Sequence, residues 1–121
     1  MRIMAIDYGD AHTGIAISDP TGLLAGFTTV INSRRQEVVV EQVTLLAKEH
    51  GAEELVLGHP VNMDGTLGPR SEKAKAMKAL LEEATALPVV LWDERRTTID
   101  AHNILFNSGK NAKQRKKVVD A

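Results

Sequence analysis

Carboxylates are the side chains that hold Mg²⁺, and this 121-residue sequence sets them at three informative points. Asp7-Tyr8-Gly9 closes an apolar run, with Gly9 free to make a tight turn and to let a ligand approach the backbone. An aspartate that merely opens a turn has the same pattern. Trp92-Asp93-Glu94-Arg95-Arg96-Thr97-Thr98 puts two acids at the end of another apolar run, followed at once by two bases and two hydroxyls. Neighbouring strand residues point to opposite faces, so only one of Asp93 and Glu94 can face a given site while the other pairs with basic neighbours. Either assignment is open at this point. Asp120 stands alone after Arg115-Lys116-Lys117-Val118-Val119. Acids so distributed, with basic residues between the last two, suit two-metal hydrolysis of a phosphodiester. Two ions ~3.5–4 Å apart activate the attacking water and stabilise the leaving oxygen.

The charge distribution points the same way. The net charge is −1, but residues 1–94 sum to −6, with 8 basic and 14 acidic side chains. Residues 95–117 sum to +6, with Arg95, Arg96, Lys110, Lys113, Arg115, Lys116 and Lys117 against Asp100. A basic segment on an acidic chain is a local footprint for a polyanion; a solvated helix tail is the plainer reading. With no cysteine, a disulfide scaffold, a thiolate zinc site and cysteine catalysis are all excluded. Four aromatic residues leave almost no stacking platform for reading bases. No apolar stretch reaches the ~18–20 residues of a membrane span, and Asp7 follows the first residues too closely for a secretory signal. A cytoplasmic protein with no membrane partner is expected.

The elements that must position these residues read as βββ-α-β-α-β-α-α. Residues 2–7, 14–18 and 23–31 are apolar runs separated by turn-forming clusters. Ser33 followed by Gln36 predicts a capping box, with Val39, Val43, Leu46, Ala47 and His50 at helical spacing until Gly51. Leu55–Gly58 is a short buried strand, and His59 to Pro69 a loop. A helix over about 71–86 carries Ala74, Met77, Leu81 and Ala84 on one stripe, with Pro88 as its stop, and Val89–Trp92 is a further strand. Thr97–Asp100 opens a helix to about Phe106, and a basic helical segment follows. One α/β domain over residues 1–121, a mixed sheet flanked by helices, is the expected architecture.

At this level of detail the sequence resembles the YqgF family, Holliday junction resolvase-like proteins and nucleases maturing the precursor of small-subunit ribosomal RNA. The resemblance covers nearly the whole chain. It rests on Ile6-Asp7-Tyr8-Gly9 with Gly14-Ile15-Ala16, and on Val56-Leu57-Gly58-His59-Pro60-Val61-Asn62-Met63-Asp64-Gly65-Thr66. It rests further on Asp93-Glu94-Arg95 with Thr97-Thr98, and on Lys116-Lys117-Val118-Val119-Asp120-Ala121. It implies an RNase H-like fold with sheet order 3-2-1-4-5 and strand 2 antiparallel to its neighbours. It also implies Asp7, Glu94 and Asp120 as the catalytic and metal-binding set, with Mg²⁺ or Mn²⁺ as cofactor. Strand 5 then lies two strands from strand 1, ~9–10 Å away, and Gly58 between them offers an empty position across which Glu94 can lean. The substrate is expected on Arg95, Arg96, Lys113, Arg115, Lys116 and Lys117.

The chain departs from the family in several places. Ala11 followed by His12 stands where a lysine is frequent, Arg96 where leucine is usual, and His59 where a hydrophobic residue is common. Family members also continue beyond Asp120 with a small-residue, apolar helix, so the resemblance implies a truncated C-terminal helix. The expected activity is a metal-dependent nuclease on structured RNA, processing the 5′ end of pre-16S rRNA as a monomer or homodimer. Resolution of branched DNA is the alternative within that class. A nucleotide-binding module, suggested by the phosphate-loop likeness of Asp7-Tyr8-Gly9 with Gly14, and a catalytically silent RNA-binding factor are alternatives outside it.

Overall fold

The computed structural model describes residues 1–20, 25–59 and 68–93, together with Leu105 and Ser108. Five strands and two helices alternate as β1 (Ile3–Asp7), β2 (His12–Ser18), β3 (Ala25–Asn32), α1 (Gln36–His50), β4 (Glu54–His59), α2 (Pro69–Thr85) and β5 (Val89–Asp93). They form one mixed sheet in the order β3-β2-β1-β4-β5. β2 is antiparallel to both β1 and β3, and β4 runs parallel to β1 and β5. Expected order and strand directions are both observed. No described helix is long and apolar enough to cross a membrane.

The strands alternate strictly, and the alternation builds two cores. Met4, Ile6, Ile15, Ile17, Ile31, Leu55, Leu57 and Val89 pack on one face with Val39, Val43 and Ala47 of α1 and Met77 and Leu81 of α2. Ile3, Ala5, Ala16, Val56, Trp92 and Leu105 pack together on the other. The first is the helix-covered face; the second is called the Trp92 face below.

Local chemistry sets the element ends, and some differ from expectation. β2 begins at His12 rather than at residue 14, because His12 and Thr13 pair with Asn32 and Ile31 of β3. The capping box on Ser33 does not form: α1 begins after Arg35, which has no side-chain cap, while Ser33 Oγ accepts from the Arg35 N–H. A serine two residues upstream closes its own small turn instead of reaching the helix. Gly51 ends α1 in the left-handed region at φ 69°, donating to the Ala47 carbonyl. That conformation carries no penalty for glycine. α2 starts at Pro69, whose missing N–H costs nothing in a first turn. It ends at Ala86 (φ 58°), two residues before Pro88. Ala84 is exposed and takes no part in the buried stripe of Ala74, Met77 and Leu81.

Candidate active site

Asp7 is the last residue of β1, half-buried, at the carboxyl edge where β4 and β5 also end. Ile3 and Ala5 belong to the Trp92 face, so the two-residue period of the strand puts Asp7 on that face as well. Gly14 is its partner across the antiparallel ladder. On the other side, β1 pairs with β4 through Ile6 and Leu57, and one step further Asp7 comes level with Gly58. Gly58 is buried and pairs in turn with Trp92. The row across four strands therefore reads Gly14, Asp7, Gly58, Trp92. The carboxylate thus has a glycine on either side, and neither neighbouring strand adds a β-carbon beside it.

The pleat also assigns a face to Asp93, one of the two acids left open by the sequence. Asp93 is in phase with Val89 and Leu91, which pack in the helix-covered core, whereas Trp92 lies on the opposite face with Asp7. Asp93 and Asp7 thus belong to different faces of the sheet. Strands β1 and β5 are two spacings apart, ~9–10 Å. Glu94, Asp120, Arg95, Arg96, Lys110, Lys113, Arg115, Lys116 and Lys117 lie outside the described residues, as do the two C-terminal helices read from the sequence. Of the expected acidic set, Asp7 alone is placed. No group of three metal-ligating side chains occurs among the described residues. The Asp7 carboxylate nevertheless is the donor type that a hard cation takes.

Around this edge lie further polar residues, of which the sequence had singled out His12 alone. His12 Nδ1 is 2.7 Å from Asn32 Oδ1; Asn32 had no distinguishing signal until the β2–β3 register put it opposite His12. Lys73, in the second turn of α2, meets Asp10 of the β1–β2 turn at 3.4 Å, both side chains well exposed. Such a pair is worth little in water. Arg35 pairs with Glu37 at 2.8 Å at the start of α1. Backbone hydrogen bonding and then Arg35 hold the Glu37 carboxyl below its ordinary value.

Comparison with known proteins adds the family. The RuvX family, described as "Holliday junction resolvase", matches residues 1–121. A Halothermothrix orenii protein named "Putative pre-16S rRNA nuclease" is 41% identical over 120 residues, covering 99% of this chain and 86% of that one. A Listeria monocytogenes serotype 4b protein of the same name is 43% identical over 122 residues, covering 99% and 88%. Among solved structures, Thermus thermophilus RuvC in complex with a Holliday junction substrate superposes with a TM-score of 0.64 at 10% identity, over 97% of this chain and 96% of that one. The ROK hexokinase of the same organism superposes at 0.56 and 24% identity, over 78% of this chain and 35% of the hexokinase. At those identities the structures share the fold alone; the RuvC match makes it RNase H-like, and the hexokinase match shows the same sheet within a kinase.

Proposed function

This chain belongs to the RuvX family of Holliday junction resolvases, and from that premise we propose a metal-dependent nuclease that trims the 5′ end of pre-16S rRNA in the cytoplasm. The observation that carries the proposal is the Gly14–Asp7–Gly58 row, a carboxylate at the carboxyl edge of the sheet with a glycine on the strand at either side. Asp7, Glu94 and Asp120 would hold Mg²⁺ or Mn²⁺. Bound there, such ions supply an activated water and charge neutralisation at the leaving oxygen. Glu94 is preferred to Asp93 because Asp93 is in phase with the opposite face, and Gly58 leaves a long side chain free to extend toward Asp7. Arg95, Arg96, Lys113, Arg115, Lys116 and Lys117 would hold the substrate by its phosphates, since cations contact phosphate without reading sequence. One domain spanning residues 1–121 carries all of these groups.

Junction resolution is the second reading, favoured by the family's description and by the RuvC-like fold. It requires two active sites and hence a homodimer. Titrating Mg²⁺ and Mn²⁺ against a labelled pre-16S rRNA fragment and a labelled four-way junction separates the two. Metal-dependent cleavage of the RNA at a defined position supports the first reading, and paired symmetrical nicks in the junction support the second. No cleavage of either, with or without ATP turnover, refutes the nuclease assignment.

A further inference from the structure

We propose that the outer edge of β3 pairs with the β3 edge of a second copy of this chain, antiparallel and centred on Val30. β3 is the outermost described strand on its side of the sheet, and its one ladder among the described residues is with β2. The Ser33 amide donates to the Ala11 carbonyl ahead of β2 at 3.0 Å, so Ser33 turns its main chain inward. Main-chain direction alternates along a strand, hence Ile31 and Thr29 also face β2, while Asn32, Val30 and Thr28 turn their N–H and C=O groups outward. No described residue bonds to those outward main-chain groups. Edge strands are ordinarily blunted by charge, proline or a bulge. From Ala25 to Asn32 β3 has no charged residue and no proline. Its one bulge has Gly26 as the extra residue and lies at the far end. Thr28–Asn32 is left as a regular, uncharged edge rich in β-branched residues.

The strand's own symmetry selects a second copy as the occupant. Outward N–H and C=O groups at this spacing are met by another extended strand. Antiparallel pairing about Val30 sets Val30 opposite itself, Thr28 opposite Asn32 and Thr29 opposite Ile31, so the outward groups of one copy meet those of the other with none left over. The flank fits the same partner. A groove of ≈ 400 Å³ runs along β3 beside Val38, Gln42 and Leu46 of α1. Leu45, on the same side of α1, is 53% exposed, and Phe27 of β3 is 39% exposed. In the pair both α1 helices lie on one face of the joined sheet, and Phe27 comes level with Ser33, just ahead of α1, of the other copy. Exposed Arg34 comes near the other copy's Gly26, beside which Asp19 lies, so a base meets an acid at each end. Val30 is also level with Gly14, and Gly14 with Asp7. The two Asp7 carboxylates therefore fall on one face of a continuous sheet, five strand spacings or ~24 Å apart. Junction resolution requires such a pair of sites, but the pairing itself does not depend on the nuclease reading.

The test is the oligomeric state of the full chain without metal or nucleic acid, so that its failure is separate from failure of the nuclease reading. Sedimentation equilibrium of the wild type at micromolar concentrations should show a monomer–dimer equilibrium. Val30→Pro removes an outward N–H alone, so the β2–β3 ladder is kept while both central bonds of the pair are lost. Its dimer Kd should rise about 10- to 100-fold at an unchanged circular dichroism spectrum. Val30→Lys and Val30→Glu should each dissociate, since like charges are then set opposite one another, and an equimolar mixture of the two should form the heterodimer. The chain has no cysteine, so Val30→Cys should oxidise cleanly to a disulfide-linked dimer across a Cα separation of ~5.5 Å. Thr28→Cys should not, because Thr28 lies opposite Asn32 and ~14 Å from its own equivalent. A wild type that stays monomeric overturns the inference. So does a dimer that Val30→Pro and Val30→Lys leave intact, or one that cross-links through Thr28→Cys and not through Val30→Cys.

Discussion

Thr13 and His12 are adjacent in β2 and lie on opposite faces, so the pleat demands opposite consequences from changing them. Thr13 is fully buried, and its Oγ1 has no hydrogen-bond partner among the described residues. It is in phase with Ile15 and Ile17 and pairs with Ile31, all three in the helix-covered core. Valine has the same shape and the same preference for strands. Thr13→Val therefore replaces a hydroxyl buried without a bond by a methyl group, a change worth about 1–2 kcal/mol in favour of the folded state. At ~2.1 cal/mol/K per residue, 121 residues give an unfolding entropy of about 0.25 kcal/mol/K, so Tm should rise by about 4–8 °C. Urea titration followed by circular dichroism, with calorimetry for Tm, should show a higher midpoint at unchanged slope. Nucleic-acid binding and cleavage should not change, because the side chain faces away from Asp7. A lower midpoint would mean that the hydroxyl is satisfied in the folded protein. Altered cleavage with unchanged stability would mean that the two faces have been assigned the wrong way round.

Two further outcomes follow from the site. Gly58→Val puts a branched side chain between Asp7 and Trp92 on a strand that otherwise favours it. Cleavage should fall about 10- to 100-fold while the circular dichroism spectrum is kept, and unimpaired cleavage would remove the glycine row from the account. Changing Lys116 and Lys117 together to Ala should flatten the log–log salt dependence of RNA binding by about one to two units without altering base preference. An unchanged slope would make these lysines ordinary solvated surface.

A mixed sheet flanked by helices was legible from the residues, and the strand order and directions came from the family resemblance that Ile6-Asp7-Tyr8-Gly9 and the Gly58 and Asp93-Glu94 runs carry. Buried runs such as Leu55–Gly58 are unambiguous because they are bounded by turn formers. Helix starts were less legible. Ser33 and Gln36 have the spacing of a capping box, yet the serine bonds to the nearer Arg35 amide, a local competition that composition cannot decide. Ala84 continues a helical stripe on paper but falls in the last turn of α2 and is exposed. The strand-end pattern left Asp93 and Glu94 open, because the choice depends on which face each strand presents to which core, and the family resemblance alone pointed to Glu94. The His12–Asn32 pair was invisible for a related reason: 20 residues apart, the two meet through the β2–β3 register.

The central claim is that the Asp7 carboxylate is a metal ligand for phosphodiester cleavage, and Asp7→Asn tests it most directly. Asparagine keeps the size and the strand-end position and removes the charge. The variant should fold and melt like the wild type. Its Mg²⁺-dependent cleavage of labelled RNA should drop by at least about 100-fold, the upper end of the loss from removing even an outer-sphere partner of a metal ligand. A folded Asp7→Asn protein that cleaves at the wild-type rate would contradict the account.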